Sequence, residues 1–222
     1  MPLYTDYVGA AILYNLQLLP ESLICGIIIL AVVLVSQSLI TLAAGAALTQ
    51  VLTSVVGKLI MRFMEGNAEL TGAKCADLCH PGFLGKSWYR LLNGGKAPEL
   101  LWSPIAPSVY LATVAYFVGF GLALLSLYKE EIDAKVLSRT TMTLVAIISV
   151  ILLAMAVIFR IGYGCDSVLG AVGGVLMGLM LGYLGCTVVG YFTERRATNV
   201  WGIPLMRDRI NHGSPLYVCP KA

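Results

Sequence analysis

The chain has 222 residues, 58% of them hydrophobic and 12% charged, with a formal net charge of +3. Soluble domains carry about 25% charged residues, and the mean hydropathy of +0.83 points the same way. This composition excludes a cytosolic enzyme and a secreted disulfide scaffold. It likewise excludes a dedicated nucleic-acid binder, and the small net charge by itself names no ligand.

Charge is absent from Ser22 to Gly57, from Leu100 to Tyr128, from Thr140 to Phe159 and from Ser167 to Thr193. An uncharged apolar run of about 18 residues or more is long enough to cross a bilayer as a helix. The fold expected is therefore an all-α polytopic membrane protein, with about five transmembrane helices and an N-terminal interfacial helix. Met1 to Ala10 carries Asp6 and no basic cluster, so no cleavable signal peptide is expected. Residues 7–20 are apolar but too short to span, and are read as the interfacial helix, ending at Pro20. The stretch from Ser22 to Gly57 would make a rod of about 54 Å and exceeds one span. Ser36-Gln37-Ser38 is the expected turn, giving helices near 18–36 and 38–62, with a further break conceivable at Gly45.

A polar segment, 63–104, follows and reads as an ordered cap on the membrane surface. Spans are then expected near 105–128, 140–159 and 167–192. The charged connector Lys129 to Arg139 separates the first two, and the short turn Arg160 to Cys165 separates the last two. Residues 1–192 thus form the membrane bundle, and 193–222 a polar tail. Counting spans puts the N-terminus, the cap and the 160–165 turn on one side, here side A. The Ser36 turn, the 129–139 connector and the tail fall on side B. Lysine and arginine slightly favour side B, a weak lean toward its being cytoplasmic.

Gly170, Gly174, Gly178 and Gly182 recur at every fourth residue of the last span, a row that lets another backbone approach closely. They are the candidate helix-packing residues. Cys25 and Cys186 lie in apolar runs and read as small packing residues. Cys75, Cys79, Cys165 and Cys219 lie in polar segments and can pair if their compartment is oxidising. Cys75, Cys79 and His80 make a C-x3-C-H pattern that lacks a fourth ligand. Neither metal nor cofactor is expected. The tyrosines cluster near span ends, as membrane-interface aromatics do.

Ionisable groups at membrane depth are functional candidates by default. Lys58 closes the second span, Arg160 closes the fourth, Asp166 opens the fifth, and Pro107-Ser108 opens the third, all on side A. A helix N-terminus favours an anion. Lys58, Ser108 and Arg160 are therefore the candidate anion or lipid-headgroup binders. The alternatives are that Lys58 and Arg160 snorkel to headgroups and that Arg160 pairs with Asp166.

This order of features resembles the type 2 phosphatidic-acid phosphatases, helical membrane proteins that remove phosphate from lipids. Their motifs are K-x6-R-P, P-S-G-H and S-R-x5-H-x3-D. Here Lys58 matches the first, Pro107-Ser108-Val109-Tyr110 the second, and the run from Phe159-Arg160 to Asp166 the third. The glycine-rich stretch from Ser167 to Gly174 resembles the family's last helix. The departures fall on the catalytic positions. Asp166 stands where the nucleophilic histidine belongs, Gly170 at its aspartate partner, Tyr110 at the general-acid histidine, and Glu65-Gly66 at the arginine-proline pair. Transfer through a phosphohistidine needs an imidazole to attack and a proton donor for the leaving oxygen. The resemblance therefore implies a degenerate copy with no catalytic residues. The expected role is a structural or docking component of a membrane assembly, such as the inner membrane of a virion. Its expected partners are membrane lipids, and proteins bound through the cap and the tail. Two alternatives stand beside this: a lipid-phosphate hydrolase using Asp166 or Cys165, and a small transporter.

Overall fold

A computed structural model describes residues 2–64, 107–129, 139–192 and 198–200. The expected surface cap and most of the tail lie outside the described residues. The described elements are five helices: α1 (Pro2–Leu34), α2 (Gln37–Met64), α3 (Val109–Leu127), α4 (Arg139–Gly162) and α5 (Val168–Phe192). Four helices are long and apolar enough to cross a membrane, over Gln37–Ile60, Val109–Leu127, Met142–Gly162 and Val168–Phe192. Leu18–Leu34 is a shorter apolar stretch. The chain is an all-α polytopic membrane protein.

The sequence places a helix end at Pro20, but α1 runs through it without a break. Proline inside a helix removes one backbone hydrogen bond and crowds the preceding turn, a cost of about 3 kcal/mol in water. In a membrane, helix continuity is favoured because no water is present to satisfy an opened backbone. Ser22 Oγ donates to the Leu19 carbonyl beside the proline at 3.0 Å. The α1–α2 turn falls within one residue of its expected place. Val35 takes a left-handed φ of 47°, and the Ser36 N–H reaches back to the Ala31 carbonyl at 3.1 Å. That is the closing bond of a Schellman cap, whose left-handed position glycine usually fills. No break occurs at Gly45, which lies inside α2 against the phenol of Tyr116.

The centre of the bundle is α3, buried from Leu111 to Leu124 on several faces at once. Its most extensive contact is with α5; α2 and α4 flank it, and α1 lies mainly along α2. The glycines of α5 make this contact possible. Gly170, Gly174, Gly178 and Gly182 are all buried. A Cβ at Gly178 would overlap the Ala112 carbonyl oxygen, and one at Gly182 the Tyr116 carbonyl oxygen. The two backbones are therefore in direct contact, a seam of small residues of the kind that holds membrane helices together. Large apolar side chains elsewhere point outward, among them Ile147 and Ile151 on α4 and Leu176 and Met180 on α5. Hydrocarbon solvates such faces at no cost, so their exposure agrees with the membrane reading.

Three buried threonine hydroxyls are satisfied within their own helices. Thr49, Thr53 and Thr113 donate to the carbonyls of Gly45, Thr49 and Val109 at 2.9, 2.7 and 2.8 Å. At side B, Tyr128 and Thr198 are fully buried, and their hydroxyls lie 3.1 Å apart. Val200 packs on the cluster of Leu42, Phe120, Leu124 and Met142. Thr198 and Val200 thus dock on the bundle.

Candidate functional site

The turn between α4 and α5 creates the site. Gly164 has a left-handed φ of 67°, which only glycine adopts readily. The Gly164 N–H bonds to the Ile161 carbonyl at 3.0 Å, and the Cys165 N–H to the Arg160 carbonyl at 2.9 Å. Together these are the two bonds of a Schellman motif ending α4. The reversal carries Asp166 back over the last turn of α4. Ser167 then caps α5, its Oγ accepting the Gly170 N–H at 3.0 Å.

Arg160 on α4 meets Asp166 through two bonds. Nε donates to Oδ2 at 2.8 Å and Nη2 to Oδ1 at 3.1 Å. Such two-pronged pairing matches the planar fork of a guanidinium to the two oxygens of a carboxylate. The side chains are 8% and 14% exposed, so the pair is shielded from water. A third helix joins at the same oxygen: Ser108 Oγ donates to Asp166 Oδ2 at 2.6 Å. Ser108 is also the N-cap of α3, its Oγ accepting the Leu111 N–H at 3.3 Å. Its own N–H donates to the Gly170 carbonyl of α5 at 2.9 Å. The N-terminus of α3 therefore lies against this carboxylate through its cap, where the helix dipole favours a negative charge.

Tyr110 completes the cluster. The guanidinium carbon of Arg160 lies 5.0 Å from the centre of its ring, a cation–π distance. The motif comparison places Tyr110 beside Ser108 at a site position, whereas reading the tyrosines as interface aromatics gives no hint of its contact with Arg160.

Of the three sequence-predicted anion binders, the structure brings Ser108 and Arg160 together, with Asp166 between them. Lys58 is exposed on α2, at the same side of the bundle. The pairing of Arg160 with Asp166, one of the open alternatives, is what forms. Cys165 is disulfide-bonded, and a sulfur in a disulfide offers no thiolate to attack with. Cys25 and Cys186 are free. Cys75, Cys79, His80 and Cys219 lie outside the described residues, as do Glu65 and Gly66. Among the described residues, no group of three metal-ligating side chains forms.

The chemistry this arrangement performs is retention of a carboxylate. Both oxygens of Asp166 accept charged or short hydrogen bonds, and the guanidinium face is covered by an aromatic ring. The result fastens the ends of α3, α4 and α5 at a single point. No family model, curated protein or solved structure matches the chain.

Proposed function

We propose that this protein is a non-catalytic, multi-pass membrane protein that serves as a structural or docking component of a membrane assembly, such as a virion inner membrane. The observation that carries this reading is the occupation of Arg160 by Asp166. In the resembled phosphatases the corresponding arginine belongs to the phosphate site. Here the chain's own carboxylate sits on it. A phosphate approaching Arg160 has to displace that carboxylate or lie beside it, and two anions in a shielded site repel. The two positions that differ most from the phosphatase motifs are the ones that satisfy the arginine: Asp166 by ion pairing, and Tyr110 by its ring face. A catalytic centre that lost its histidines and gained these residues becomes a clasp between helices.

The docking part of the reading rests on the sequence. The 63–104 cap and the 193–222 tail are more polar chain than a five-helix bundle needs, and they are the surfaces offered to protein partners. The membrane lipids are the remaining partner, met by the outward apolar faces of α4 and α5.

The test is phosphate release by the purified protein in detergent, from phosphatidate, diacylglycerol pyrophosphate and a prenyl diphosphate. The expected result is no release above a no-protein control. Release that disappears in an Arg160→Ala variant would overturn the proposal in favour of a hydrolase with a rearranged site.

A further inference from the structure

We infer that the end of the bundle carrying Arg160, Asp166 and Ser108 faces an oxidising compartment, where the Cys165 disulfide locks the turn that delivers Asp166 to Arg160. Cys165 is disulfide-bonded and 7% exposed. It stands between the left-handed Gly164 and Asp166, with its N–H on the Arg160 carbonyl. A covalent bond at this residue restrains the same reversal that the Schellman bonds define. The partner cysteine lies outside the described residues. Disulfides persist in the oxidising compartments beyond the cytosol and are rare within it.

The placement of the other described cysteines agrees. Cys25 lies within α1 and Cys186 within α5, both as free thiols, and Cys186 is fully buried. Neither is near the Arg160 end, so the described disulfide is confined to that end. Its formation is an exchange. The two thiols pass their two electrons and two protons to a disulfide of the compartment, such as oxidised glutathione or an oxidoreductase disulfide. That disulfide leaves as two thiols, and the S–S bond forms.

Charge leans the same way, weakly. Side B carries Lys129, Lys135, Arg139, Arg195, Arg196, Arg207, Arg209 and Lys221, and side A carries Lys58, Arg62, Lys74, Lys86, Arg90, Lys96 and Arg160, the last of them bound by Asp166. Lysine and arginine next to span ends are retained on the cytoplasmic side, and that leaflet carries the anionic lipids that attract them. Both observations give the same orientation. The α1–α2 turn, the 129–139 connector and the tail face the cytosol and the Arg160–Asp166 clasp faces away from it; with the unbroken 33-residue α1 counted as a crossing, the N-terminus lies on the clasp's side.

The orientation is testable on the full chain because the sequence contains no Asn-x-Ser/Thr acceptor of its own. One acceptor is appended before Met1 or after Ala222, and each version is translated into endoplasmic-reticulum microsomes. The expected result is a glycosidase-sensitive mobility shift for the N-terminal acceptor alone. Any other pattern overturns the orientation. The lock is tested separately, by mass spectrometry of protein alkylated without reduction. Cys165 is expected in a disulfide-linked peptide, and recovery of alkylated Cys165 overturns it. Neither readout depends on whether the protein hydrolyses lipid phosphates, so failure here is distinguishable from failure of the proposed function.

Discussion

The two ends of the bundle are closed in different ways. At side A the closure is ionic and mostly local. Arg160 and Asp166 are six residues apart, on either side of one tight turn, and Ser108 joins from α3. At side B the closure is neutral and long-range. The hydroxyls of Tyr128 and Thr198, 70 residues apart, meet at 3.1 Å, and the surroundings are apolar. The glycine-led reversal at side A positions the carboxylate beside the guanidinium. Among the described residues of side B, the Tyr128–Thr198 hydroxyl pair and Val200 close the end where α3 and α5 meet.

This contrast can be broken at either end, and the ionic end should be the more sensitive. Asp166→Ala leaves the guanidinium without its carboxylate in a shielded site, and removing one member of a buried pair costs about 3–5 kcal/mol. Thermal unfolding in lipid nanodiscs should show it as the largest loss of the set. Gly178→Leu attacks the seam between the two ends by placing a side chain where the Ala112 carbonyl already sits. Overpacking of this kind costs about 1–3 kcal/mol, so the same assay should show an intermediate loss. At side B, Thr198→Val keeps the shape and removes the hydroxyl partner of Tyr128. A neutral hydrogen bond is worth about 1 kcal/mol; the loss should be correspondingly small, with faster proteolytic cleavage beyond α5. The smallest net effect should be a gain. Val35 is 84% exposed, so Val35→Gly removes no packing while relieving a left-handed conformation that costs an L-residue about 1–2 kcal/mol, most of it offset by the roughly 0.5–1 kcal/mol of extra unfolded-state freedom that glycine brings.

Much of this architecture is legible in the sequence because membrane solvation imposes a coarse rule. The charge-free runs place α3 to α5 to within a few residues, since a charge inside hydrocarbon is expensive and its absence marks a span, and the Ser36-Gln37-Ser38 turn places the start of α2. The fourfold spacing of Gly170 to Gly182 likewise identifies the α3–α5 seam, because one residue type at that period has one physical use. What the local rules mislead on is Pro20. The proline rule comes from water, where an interrupted helix can be solvated, and in α1 the helix continues. The candidate site was only partly legible. Ser108, Arg160 and Asp166 share an end of the bundle by span counting alone. Whether Arg160 holds an external anion or Asp166 depends on the path of the turn, and that path is set by the φ of Gly164. Tyr110 had no periodic signal, because its partner belongs to another helix.

The central claim is that Arg160 and Asp166 act as one unit. A double-mutant cycle tests it most directly, with Arg160→Met, Asp166→Leu and the double variant unfolded in the same nanodiscs. The account predicts strong coupling: each single change is severe, and the double variant recovers stability relative to the sum by about 1–3 kcal/mol. Losses that simply add would show that the two side chains do not depend on each other, and the clasp would have to be abandoned.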